Sequence, residues 1–121
     1  MKLRETDRDV TYADQLAGGD APITLINVFT MSSDDVDAFV RAWTDDAAFM
    51  KRQPGFIRTQ LHRGTQGSAT FVNIATWESS ATLRAAFTAP EFRRTLARYP
   101  ESVEASPHVC VPVAVASICT A

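Results

Sequence analysis

The stretch Ala69-Thr-Phe-Val-Asn-Ile-Ala-Thr-Trp-Glu-Ser-Ser-Ala-Thr-Leu-Arg-Ala-Ala-Phe87 decides the fold. It begins with a two-residue period and ends with a helical one. Phe71, Asn73, Ala75 and Trp77 fall on one face of a strand, and Thr70, Val72, Ile74 and Thr76 on the other. A strand with apolar groups on both faces lies inside a sheet or is covered on both sides. Asn73 and Trp77 place an amide and an indole N–H on the face that carries Phe71. An apolar wall with two polar handles is what a small-molecule pocket is built from. Glu78-Ser79-Ser80 ends the strand, and a serine there can cap the helix that follows.

The chain has 121 residues, the size of one domain, with 45% hydrophobic and 21% charged residues. That suffices for a core without metal or disulfide support. The net charge of −2 gives no basic footprint for nucleic acid or an anionic membrane. No apolar run reaches the ~20 residues of a membrane span, and the charged start Met1-Lys-Leu-Arg-Glu-Thr-Asp-Arg-Asp9 has no apolar signal region. The expected location is cytoplasmic, and Cys110 and Cys119 read as two reduced thiols.

Residues 1–21 read as a flexible arm ending at Gly18-Gly19-Asp20, and 22–121 as a single domain. The first strand is Ile23–Phe29, with Asn27 an unusual polar residue at its middle. Ser32 with Asp35 resembles a capping box for a helix to about Lys51, whose stripe is Val36, Phe39, Val40, Trp43, Ala47 and Met50. Gln53-Pro54-Gly55 breaks the chain. Phe56–Arg63 alternates as an edge strand, with Phe56, Arg58, Gln60 and His62 on one side. Gly64–Ser68 is a hairpin loop into the Ala69–Glu78 strand. A helix from Ser80 restarts at Pro90, a first-turn position. Glu101–Pro107 reads as a loop, and His108–Ser117 as a last strand with Pro112 at an edge or bulge.

The order strand, helix, strand, strand, helix, strand is the split βαβ, ferredoxin-like pattern, an α+β fold with a four-stranded antiparallel sheet. Helices cover one face of such a sheet. The residues on the bare face, Ile26, Val28, Val72 and Ile74 among them, call for a homodimer in which two sheets meet.

With the elements placed, the Ile23–Phe29 strand, Phe49-Met-Lys-Arg-Gln-Pro-Gly-Phe56, Val72-Asn-Ile-Ala-Thr-Trp-Glu-Ser79 and Ala85-Ala-Phe-Thr-Ala-Pro-Glu-Phe92 resemble the antibiotic biosynthesis monooxygenase family over about Ile23 to Val115. The resemblance implies a dimeric α+β barrel. It further implies two branches. Cofactor-independent quinone-forming oxygenases carry Asn-x-x-x-Trp on the third strand, matched by Asn73 and Trp77, an Asn on the first strand, matched by Asn27, and in some members a second-strand His, matched by His62. A helix Tyr of some members falls near Leu83. The haem-degrading branch needs a helix Trp and a His ten residues on, where this chain has Phe87 and Ala97, so haem ligation is not expected.

No nucleotide, flavin or metal motif is visible, so no cofactor and no metal site are expected. The resemblance then implies oxidation of a phenolic polycyclic substrate, an anthrone or hydroquinone, by O₂ to a quinone. Asn27, Asn73, Trp77 and His62 are the expected catalytic residues. The amides hold substrate oxygens, the indole N–H meets a peroxy intermediate, and His62 serves as base. Phe29, Trp43, Phe71, Leu83 and Phe87 are the expected substrate-binding walls. A non-oxidative cyclase or isomerase, a binding dimer without chemistry, and a purely structural Asn27, Asn73 and Trp77 remain open on the residues alone.

Overall fold

A computed structural model of the protein describes residues 1–121. Its central strands are β2 (Ile23–Thr30) and β4 (Phe71–Trp77), paired antiparallel along their length. β3 (Phe56–Arg63) flanks β4 at the edge, and β5 (Glu104–Cys110) flanks β2. Numbered among themselves, these four strands have the order of a ferredoxin-like sheet, so the α+β expectation holds. Two long or paired helical segments, α2 (Val36–Lys51) and α3 with α4 (Ser80–Phe87, Pro90–Leu96), make the connections.

The sheet has five strands rather than four. The fifth comes from the segment expected as a loose arm. β1 (Lys2–Leu3) pairs parallel with β5, and α1 (Tyr12–Leu16) follows it. Thr11 and Asp14 close a capping box at the start of α1. Tyr12 and Leu16, four apart on one helix face, are buried against Trp77 and Leu83. The Gln15 side chain completes the attachment. Its amide donates to the Val109 carbonyl at 2.9 Å and accepts from the Val109 N–H at 2.8 Å. An apolar pair and a backbone-like amide on one short helix outweigh the polar composition around them.

Three local expectations are corrected. Ser32 and Asp35 form no capping box; a 3₁₀ turn at Ser33–Asp35 leads into α2, with no side-chain cap. Ser102 supplies the polar partners instead, its Oγ accepting from the Ser32 N–H at 3.1 Å and donating to Asp35 at 2.6 Å. The last strand starts earlier, at Glu104 inside the expected loop, shares only His108–Cys110 with the expected span, and stops at Cys110 because its partner β2 begins at Ile23. Pro107 rather than Pro112 is the proline of this strand. Its neighbours' outward groups, such as the Ala105 carbonyl bonded by Arg4 N–H at 2.7 Å, face β1, so the missing N–H spares the β2 ladder. In β3 the register shifts between Phe56 and Arg58. That bulge turns Phe56, Thr59 and Leu61 to the helix side and Arg58, Gln60 and His62 to the other.

The helix-facing side of the sheet carries two buried clusters. One gathers Ile23, Leu25, Ala75, Trp77, Leu83 and Ala86 around Tyr12 and Leu16. The other gathers Phe29, Phe39, Phe71, Tyr99 and Val103. Phe39 meets Phe29 and Phe71 at 4.9 Å between ring centroids. Asn27 and Asn73 lie in register between the two clusters. On the opposite face Ile74 stays 40% exposed, as a bare second face requires. Ser79 caps α3 as its position suggested, its Oγ accepting from Thr82 N–H at 3.1 Å.

Gly55 ties these parts together. Its φ is +87°, and a Cβ there would stand 2.4 Å from the Thr82 side chain. Its carbonyl accepts from Glu78 N–H at 2.8 Å. Gly55→Ala is therefore expected to cost more than about 1 kcal/mol, from positive φ and from displacement of the α3 start. A urea melt with an unchanged midpoint would refute this.

Candidate active site

Between the sheet and the helices lies a cavity of about 270 Å³. Sixteen of the 23 residues around it are hydrophobic, so each polar group inside it is conspicuous. Its walls include Phe29, Trp43, Leu83 and Phe87, together with Trp77. Asn27 and Asn73 stand on its sheet side as direct cross-strand partners.

The two amides differ in their surroundings. The Asn73 Oδ1 accepts from the Thr59 hydroxyl at 2.5 Å. That bond fixes the amide orientation and leaves its NH₂ group free for the cavity. The Asn27 Oδ1 is buried and has no hydrogen-bond partner. Leaving a buried amide oxygen unpaired costs about 1–3 kcal/mol. An apolar cavity beside an unpaired amide is a place prepared for a polar group brought by a ligand. Trp77 is 1% exposed and packs edge-on against Phe56, with centroids at 5.5 Å and planes at 89°.

Two expected residues lie elsewhere. His62 pairs with Val72 on the far side of the sheet, exposed, because the β3 bulge reverses the faces. It does not reach the cavity of its own chain. Phe71 is buried against Phe39, within the second cluster rather than at the cavity wall.

The residue that sequence reading passed over is Asp46. It lies on the buried stripe of α2, three residues after Trp43 and three before Phe49, and it lines the cavity. Of the expected stripe Val36 and Phe39 are buried and Trp43, Ala47 and Met50 line the cavity, but Val40 is exposed; the fully buried line Val36, Phe39, Ala42 and Phe49 turns Asp46 inward. An acidic residue in step with that stripe was the available signal. The Tyr99 hydroxyl donates to one Asp46 oxygen at 2.6 Å. Burial pushes the Asp46 carboxyl up to about 6, with the Tyr99 hydrogen bond pulling the other way. Burial also raises Tyr12 and Tyr99, and the nearby Asp46 charge adds to both. Lys2 and Arg93 lie on the same cavity, and the Arg93 guanidinium sits 5.0 Å from the Phe87 ring centre.

Residues 22–98, well over half of the chain, match the family model described as antibiotic biosynthesis monooxygenase. The chain belongs to the antibiotic biosynthesis monooxygenase family. It is 36% identical over 70 residues to deoxynogalonate monooxygenase of Streptomyces nogalater. That alignment spans 58% of this chain and 58% of the relative, less than two thirds of either. The fold is similar to that of SnoaB, a cofactor-independent oxygenase from Streptomyces nogalater, with a TM-score of 0.72 and 26% identity over 80% of this chain and 98% of that one. A protein of Shewanella loihica PV-4 gives a TM-score of 0.68 and 31% identity over 81% of this chain and all of its own, 100%.

The family segment contains Asn27, Asp46, Thr59, Asn73 and Trp77. The cavity is nonetheless completed from outside it, by Leu3, Tyr12, Ala105 and Pro107. Closure of the pocket thus depends on the same N-terminal segment that adds β1 and α1. No helix is long and apolar enough to cross a membrane.

The raised Asp46 pKa has a stability consequence. Its folded value, about 6, lies above the ordinary 3.8, so the fold favours the protonated form. The resulting stability is complete below pH ~4 and is lost as pH rises through about 6. Asp46→Asn, which keeps an acceptor for Tyr99 and removes the charge, should stabilise the protein at pH 7.5 by about 2 kcal/mol and lose that advantage near pH 4. Melting curves at the two pH values check this; an advantage independent of pH would contradict it.

Proposed function

We propose that the protein is a cofactor-independent monooxygenase that oxidises a phenolic polycyclic substrate of the anthrone or hydroquinone type with O₂. The observation that carries this reading is the Asn27–Asn73 pair, with the unpaired Asn27 oxygen, on the floor of an apolar cavity. Membership of the family and similarity to a cofactor-independent oxygenase support it. The substrate itself is the reductant. Once deprotonated it passes an electron to O₂, the two radicals join in a C–O bond, and the peroxide loses water. For an anthrone the CH₂ carbon becomes C=O, one oxygen atom enters the product, and the other leaves as water with the two hydrogens.

The protein's part is to bind, orient and exclude water. The Asn73 NH₂ group, oriented by Thr59, donates to a phenolate or carbonyl oxygen. The Asn27 amide meets a second substrate polar group. The Trp77 indole N–H is the donor for the developing peroxide. Fixed dipoles in a dry cavity stabilise developing charge without reorganising when the reaction occurs. The wall of Phe29, Trp43 and Phe87 suits a flat ring system.

The same reading includes a homodimer. Ile74 on the bare sheet face is 40% exposed, and the C-terminal tail adds Val111, Val113 and Ile118 at 61%, 69% and 81%. A second sheet would cover such a surface. Light scattering should give twice the 13.3 kDa chain mass, and a monomer at micromolar concentration would refute the pairing.

The catalytic reading is tested by oxygen uptake with an anthrone. Asn27→Ala and Asn73→Ala should each lower turnover by about 10²–10³-fold while leaving the melting temperature within a few degrees. If both residues only hold the sheet together, melting temperature falls and the folded fraction keeps full activity.

A further inference from the structure

The geometry points to Asp46 as the base that takes the phenolic proton of the substrate, with Tyr99 as the residue that positions it. The inference rests on the oxygenase reading above and adds the proton acceptor that His62, on the far side of the sheet, does not supply within its own chain.

Asp46 projects from the buried side of α2 into the cavity that Asn27 and Asn73 line from the opposite, sheet side. One carboxylate oxygen, Oδ2, accepts from the Tyr99 hydroxyl at 2.6 Å. The other makes no hydrogen bond within the chain and is the oxygen available to a ligand. Tyr99 is itself held by stacking on Phe29, with centroids 6.4 Å apart and planes at 13°, and by packing on Phe39 at 5.8 Å. The carboxylate is thus aimed by a buried, rigid donor, which is the support a general base needs. Burial raises its pKa to about 6, so it is ionised at neutral pH and far more basic than an exposed aspartate.

The groups facing Asp46 favour this role. Tyr12 of α1 and Tyr99 after α4 are buried and neutral, each held protonated by burial and by the Asp46 charge. Met1 and Lys2 from the β1 end and Arg93 of α4 line the same cavity, and no second carboxylate does. The neighbouring Asp45 is turned to solvent and pairs with Arg98 at 2.9 Å. In the step itself the phenolic O–H bond breaks, the proton moves to the free Asp46 oxygen, and the electron pair stays on the substrate as aryloxide. The aryloxide is then the reductant for O₂, and the proton held on Asp46 is available to the peroxide oxygen that leaves as water.

The test is a pH–rate profile of oxygen uptake with an anthrone, for wild type, Asp46→Asn and Tyr99→Phe, with circular dichroism to confirm folding. Wild-type kcat/KM should fall below an apparent pKa near 6. Asp46→Asn should lower kcat/KM at pH 7 by about 10²–10⁴-fold, and the deficit should shrink as pH approaches the substrate's own pKa, where no base is needed. Tyr99→Phe removes the hydrogen bond that lowers the Asp46 pKa, so the acid limb should move to higher pH. A merely structural Tyr99 would lower the rate without moving the limb. If wild type consumes oxygen and Asp46→Asn keeps its rate and its acid limb, Asp46 is not the base and the oxygenase reading stands. If wild type consumes none with any anthrone or hydroquinone, the oxygenase reading itself fails, and the inference with it. Should Asp46→Asn not fold, the direction of the Tyr99→Phe limb decides.

Discussion

The pairing of Asn27 with Asn73 is the constraint around which the molecule is arranged. Antiparallel register puts the two amides side by side on the helix-facing surface of the sheet. Apolar residues above and below them pack in two separate clusters, because neither cluster can absorb two amides without partners. The cavity occupies the gap. Thr59 satisfies one amide oxygen, and the other stays unpaired. A fold selected for stability alone would place two apolar side chains here; this one keeps the polar pair and the void beside it.

The helical layer carries a second cost of the same kind. Asp46 stands where the α2 stripe calls for an apolar residue, and burial holds its pKa well above the usual carboxylate range. Tyr99 compensates part of that cost. Strain of this sort, an unpaired amide on one wall and a desolvated carboxylate on the other, concentrates where chemistry is done. By contrast the exposed ion pairs Arg52–Glu91 and Arg98–Asp45, more than half exposed at each side chain, contribute little to stability. The energetic interest of the molecule lies inside the cavity.

The N-terminal segment shows how a weak local pattern gains weight from its setting. Residues 1–21 look polar and irregular along the chain. Tyr12 and Leu16 nonetheless share a helix face, and Gln15 offers an amide that substitutes for a strand partner at Val109. Alone, a helix of five residues is not stable in water. Beside Trp77 and the open edge of β5 it is. The segment also closes one end of the cavity, so the pocket is complete only when it is docked.

Much of this was legible in the sequence. The two-residue period of Phe71–Trp77, the Ser79 cap, the Pro90 restart and the strand–helix order determine a ferredoxin-like α+β sheet, because each depends on local backbone and side-chain geometry. The same pattern marked Asn27, Asn73 and Trp77 as polar groups on an apolar face, and the family resemblance rested on those segments. What depends on contacts between distant residues was not legible. The bulge after Phe56 reverses the faces of β3, and that one-residue shift sends His62 away from the cavity and brings Thr59 to Asn73. The rotation of α2 on the sheet is settled by packing against Phe29 and Tyr99, and a rotation of that kind decides between Val40 and Asp46 as the inward residue. Tyr99 and Asp46 are 53 residues apart, and no local period announces their hydrogen bond. Periodicity along the chain determined which faces exist; only tertiary packing decided which of them meet, because a side chain's partner across the fold is set by register and rotation, which single-residue shifts overturn.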